Sequence, residues 1–87
     1  MTRDDLERAI DLALAGDWDG AHGIVQQDEA DRTAAWIHAV LHKIERDLGN
    51  ARYWYGRAGR PADIDRDSHD ELRAIKESLP ASAGPSA

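Results

Sequence analysis

The chain has no cysteine and no phenylalanine, a single methionine, and no long uninterrupted apolar run. Without cysteine there is neither a disulfide framework nor a thiolate metal site, and redox chemistry gives no guide to the compartment. Without phenylalanine, the core must be built from Leu, Ile, Val and Ala together with three tryptophans and two tyrosines, whose polar tips need partners when buried. Apolar runs of only a few residues exclude a membrane-spanning helix and a signal-peptide core, so a soluble, cytoplasmic protein is expected. Positive charge is also in deficit. A net charge of −6 argues against nonspecific attachment to nucleic acid or to anionic membranes, both of which depend on Lys and Arg meeting phosphates. Lys43, Arg46, Arg52, Arg57 and Arg60 form a locally basic stretch, but Glu45 and Asp47 interrupt it.

What is present is helical. The 87 residues leave room for one domain with a modest core. Thr2 with Asp5 can cap a first helix carrying Leu6, Ile10, Ala13 and Leu14 on one face. Gly16 suits a left-handed helix end, and Asp17 can cap a second helix in which Trp18, Ala21, His22 and Val25 share a face and which ends near Gln27. A third helix is predicted from about Arg32 to Arg46, with Trp36, Ile37, Val40, Leu41, Ile44 and Leu48 as one apolar stripe. Asp47 can cap a fourth helix through Ala58, with Ala51, Trp54, Tyr55 and Ala58 facing one way, and Gly59 to Pro61 stop it. Ser68 with Glu71 reads as a capping box for a fifth helix bearing Leu72, Ile75 and Leu79. No segment carries a strand signal. The expected domain is residues 1–79, followed by a small, Pro/Gly/Ser-rich tail over residues 80–87 that reads as disordered.

Two segments repeat. Laying "AGDWDGAHGIV" over "ERDLGNARYWY" pairs Asp17 with Asp47, Ala21 with Ala51 and, further back, Ala9 with Ala39. Helix, tight turn, helix, and the same again is the pattern of a helical repeat. It resembles a tetratricopeptide-like hairpin, with Ala39, Ala51 and Ala58 as the small positions and Tyr55 as the ring between the helices. The offset is shorter than the roughly 34 residues of that family. The expected fold is therefore all-α: two stacked antiparallel hairpins, tetratricopeptide-like, plus a short C-terminal helix.

The stretch Ala35 to Gly59 also resembles the central signature of a small uncharacterised bacterial protein family, carried by "AWIHA", "LH", "NA", "YWY" and "RAG". That family has no assigned activity, so the resemblance implies a compact helical protein and no particular reaction. The chain departs from the pattern at Arg46, where the family has glycine. If that residue is left-handed, the departure costs about 1 kcal/mol.

Two groups of residues are candidates for function. His38, His42 and Glu45 fall within about 60° of one another on a helix, because spacings of four and seven nearly complete whole turns. Two imidazoles at i and i+4 with a carboxylate one turn on can hold a divalent ion such as zinc. They lack the H-E-x-x-H arrangement, and no fourth ligand is evident. The competing expectation is structural, with the histidines lining the interface of helices 3 and 4 and bonded to Tyr55, Tyr53 or a backbone carbonyl. His22 is expected to be partly buried and would become a ligand only if it converged with His38 and His42. The second group is Arg52, Tyr53 and Arg57, an aromatic beside two guanidinium groups suited to an acidic protein partner. No catalytic residue is assigned, because there is no phosphate loop and no nucleophile elbow. The leading expectation is a noncatalytic interaction module of unknown partner and oligomeric state. A small metal-binding protein is the alternative, and a hydrolase at the same histidines a more distant one.

Overall fold

A computed structural model describes residues 1–80; the expected tail from 81 onward lies outside the described residues. Five helices follow one another: α1 Arg3–Leu14, α2 Trp18–Val25, α3 Arg32–Ile44, α4 Leu48–Ala58 and α5 Ser68–Ser78, with a 3-10 turn at Gln26–Asp28 after α2. No strand occurs among the described residues. The fold is all-α, with α1 and α2 forming one antiparallel hairpin and α3 and α4 the other.

The two hairpin turns are near copies. Gly16 has φ +88° and Arg46 φ +69°, and each is followed by an aspartate of almost identical backbone geometry, Asp17 at φ −89°, ψ 78° and Asp47 at φ −91°, ψ 79°. The Asp17 amide donates to Leu12 O (2.8 Å) and the Asp47 amide to His42 O (2.9 Å), closing the helix end through the left-handed residue. Each aspartate side chain then caps the next helix, Asp17 at the Gly20 amide and Asp47 at the Asn50 amide. The left-handed residue is why α3 ends at Ile44 rather than running on to Arg46. It also makes Leu48 the first residue of α4; Ile44 and Leu48, expected on the α3 stripe, are both exposed.

Small residues let the helices approach: Ala9, Ala21, Ala39 and Ala51, the aligned pairs of the repeat, are all completely buried. α3 is the hub. It packs against all four other helices, and every residue from Ala34 to Lys43 is buried, as expected of a helix covered on all sides. α5 lies across α1 and α3, the first helices of the two hairpins, burying Leu72, Ile75 and Leu79.

The start of α5 differs from expectation. Asp67, not Ser68, is the cap, accepting from the Asp70 amide at 2.9 Å. Glu71 turns inward instead of back to the cap and is 1% exposed. Its carboxylate accepts from Lys43 Nζ (2.5 Å), Tyr55 Oη (2.8 Å) and Trp36 Nε1 (2.8 Å). Lys43 Nζ also donates to Asp63 O and Arg66 O, so all three of its protons have acceptors. This one ion pair ties α3, α4, α5 and the irregular connection before α5 together.

Candidate metal centre

The site forms where α2 crosses α3. On α2, capped by Asp17, Trp18 and His22 stand one turn apart and stack, with ring centroids 4.4 Å apart. Trp18 Nε1 donates to Leu41 O at 2.7 Å, a bond between the hairpins that fixes the face α2 turns to α3. On α3, His38 and His42 also stand one turn apart, stacked at 5.0 Å. His38 lies flat on Trp54 of α4, at 3.8 Å between centroids and 12° between planes. His22 meets both α3 histidines edge-on, at 84° and 79°.

This packing draws three imidazoles together. His22 Nε2 and His38 Nε2 are 3.1 Å apart, and one ligand nitrogen from each of His22, His38 and His42 lies within 4.8 Å of the other two. Glu45 Oε1 sits 2.7 Å from His42 Nδ1 and accepts the Nδ1–H, which leaves Nε2 as the ring nitrogen that could meet an ion. Burial, followed by the neighbouring His22 and His42, pushes the His38 imidazole down from its ordinary 6.5 to about 4. Burial, followed by His42, also lowers His22. At neutral pH both are therefore uncharged, the state in which imidazole can donate to a metal.

Of the three residues expected at the site, His38 and His42 are side by side, while the Glu45 carboxylate is bonded to His42 Nδ1. The third imidazole comes from His22, on the other hairpin. His42, Glu45 and Asp47 also lie close enough to share an ion, but Asp47 is committed to the Asn50 amide and to Asn50 Nδ2. The tyrosines are not the histidines' partners: Tyr55 Oη bonds to Glu71 and Tyr53 Oη accepts from Arg57. His38 Nδ1 is buried without a hydrogen-bond partner among the described residues.

The second expected group is on the surface of α4. Tyr53 is 53% exposed; Arg57 donates to Tyr53 Oη at 2.9 Å and to Glu29 O at 3.3 Å, with its guanidinium 5.3 Å from the Trp54 ring centroid. Arg52 is exposed beside them. A cavity of about 280 Å³ opens by Trp36, Arg60 and Arg66, with the Arg60 guanidinium 3.4 Å from the Trp36 ring centroid. Glu71, the buried charge on its wall, is already satisfied by Lys43, Tyr55 and Trp36. The Lys43–Glu71 pair was not foreseen from sequence. Its one signal is positional: Lys43 follows directly on the apolar run of α3, and Glu71 shares a face with Leu72 and Ile75.

No known protein family, curated protein or solved structure matches the chain, so any functional reading rests on its own side chains.

Proposed function

We propose that the protein binds one divalent transition-metal ion, zinc or a cation of similar character, on His22, His38 and His42 between α2 and α3. The observation that carries this reading is the convergence of three imidazoles from two hairpins, with two Nε2 atoms 3.1 Å apart. Ligand nitrogens on a tetrahedral zinc, at about 2.0–2.1 Å from the ion, stand roughly 3.3–3.4 Å from each other. The His22–His38 spacing is close to that, and a His42 nitrogen lies within 4.8 Å of both. Imidazole sets of this kind suit zinc, copper and nickel rather than magnesium or calcium. Glu45 on His42 Nδ1 supplies the outer-shell carboxylate that orients a ligating ring and raises its basicity. Asp19, Glu29 and Glu45 also place negative charge near His22, a field that favours a dication. His38 lacks such support: an ion on its Nε2 puts the ring proton on Nδ1, where no acceptor waits, and outer-shell partners are each worth about 10–100-fold in affinity.

Equilibrium dialysis and thermal unfolding with zinc test the reading. One ion per chain is expected, with a rise in Tm that grows with free zinc, reaching about 2.7 kcal/mol of added stability at a hundred times Kd. His22 is only half-buried, so His22→Ala should fold and lose both effects. Copper should quench tryptophan fluorescence, since Trp18 and Trp54 stack on two of the ligands. Failure to take up zinc, or uptake unchanged in His22→Ala, would overturn it.

A second reading is favoured by the Tyr53–Arg57 pair, whose exposed ring and doubly held guanidinium form a preorganised surface on α4. With Arg52 it suits an acidic protein partner, and the protein would then serve as a noncatalytic helical interaction module.

A further inference from the structure

We infer that the metal held by the three histidines takes its fourth ligand from outside the chain, as water, hydroxide or a small monoanion. This rests on the metal-binding reading and adds to it a coordination position open to exchange.

The supply of protein ligands is the first argument. The group built on His22, His38 and His42 contains no fourth histidine or carboxylate among the described residues. Glu45 is engaged at His42 Nδ1 (2.7 Å) and Asp47 at Asn50, while Asp19 and Glu29, whose charges act on His22, lie outside the ligand group. The rings flanking the site are Trp18 on His22 and Trp54 on His38, and an indole cannot ligate. Three protein ligands with a fourth position left to solvent is the arrangement of exchangeable zinc sites, whereas closed structural sites use four.

Access is the second argument. His38 is 3% exposed at the inner end of the site and His42 9%, while His22 is half-buried at the rim. His22 is thus the most exposed of the three imidazoles, and an external ligand would enter from the α2 side. Charge is the third. All three ligands are neutral imidazoles, so the ion keeps its full double charge at the open position, which favours hydroxide or an anion. Asp19, Glu29 and Glu45 place negative charge near His22, which disfavours anions of higher charge. The exchange itself is a ligand substitution: azide enters, water leaves, and neither the metal nor the protein is oxidised or reduced.

Cobalt(II) in place of zinc makes the position visible, because four-coordinate cobalt absorbs strongly in the visible range and its bands respond to each ligand. The full chain is loaded with one equivalent of cobalt and titrated with sodium azide. The expected result is a four-coordinate spectrum that shifts saturably with azide, and loss of the bands in His22→Ala. If cobalt binds to the wild type but its spectrum does not move with azide, the fourth position is closed and the inference falls while the metal-binding reading stands. If cobalt does not bind, both fall. An azide response that persists in His22→Ala would place the exchangeable ion elsewhere and overturn the inference.

Discussion

At the scale of single residues, the histidines of the cluster are held in the state that burial dictates. Their consequence for stability has a definite sign. Above pH 6.5 His38 is neutral in both the folded and the unfolded chain and contributes no pH dependence. Below 6.5 the unfolded chain takes up a proton that the folded protein refuses until about pH 4, so stability falls as pH falls through that window. The slope from one such group is at most about 1.4 kcal/mol per pH unit, and His22, lowered in the same direction, adds to it. Urea unfolding of metal-free protein at pH 7.5, 6 and 5 should show this loss, and His38→Gln should flatten it. A wild-type stability constant from pH 7 to 5 would mean that the rings are solvated. Asp28, Asp47 and Asp67 are held below the usual carboxylate range, by the N-terminal ammonium for Asp28, Asn50 for Asp47 and the Asp70 amide for Asp67. Their stability is lost only in more acid solution and does not overlap the histidine window.

At the scale of elements, the duplicated turn sets the helix ends, and the two copies differ in how well their residues suit it. Gly16 adopts φ +88° without a side chain to strain, whereas Arg46 holds φ +69° with one. The Arg46 side chain is exposed, so Arg46→Gly removes backbone strain at little cost in contacts. Left-handed strain of about 1–2 kcal/mol, less the extra unfolded-state freedom of glycine, leaves an expected gain of roughly 0.5–1 kcal/mol in chemical denaturation. A loss of stability would show that the arginine makes a contact worth more than the strain. The turns were legible in advance, since Asp17, Asp47 and Gly59 occupy capping positions that local chemistry alone selects. At the start of α5 the expected Ser68 cap gives way to Asp67, and Glu71 pairs with Lys43 instead of turning back to the helix end.

At the scale of the whole molecule, the hairpins, α5 and the connection before it are joined by a buried charge. Glu71→Ala would leave the Lys43 ammonium, Tyr55 Oη and Trp36 Nε1 without their acceptor, an expected loss of about 3–5 kcal/mol. Burial, followed by the Glu71 hydrogen bond, drives Tyr55 ionisation far above its ordinary range, so its hydroxyl remains a donor. Replacing both charges, as in Lys43→Met with Glu71→Leu, should cost clearly less than the sum of the two single changes, because neither charge is then stranded. A double-mutant cycle by urea unfolding measures the difference. Strict additivity would mean that solvent or another group already compensates each charge.

The sequence by itself determined the helices, the caps of α1, α2 and α4, the repeat and the surface position of Tyr53, because each depends on residues within a few turns of one another. Two facing histidines on α3 were equally legible, being a matter of helical pitch. Tertiary structure alone decided that His22 joins them, since α2 packs on α3 and the Trp18–Leu41 hydrogen bond holds the two helices together. It also decided that Glu71 turns from the helix start to Lys43. Local pattern specifies which face a residue occupies; whether a charge or an imidazole on that face finds a partner depends on which other element is packed against it.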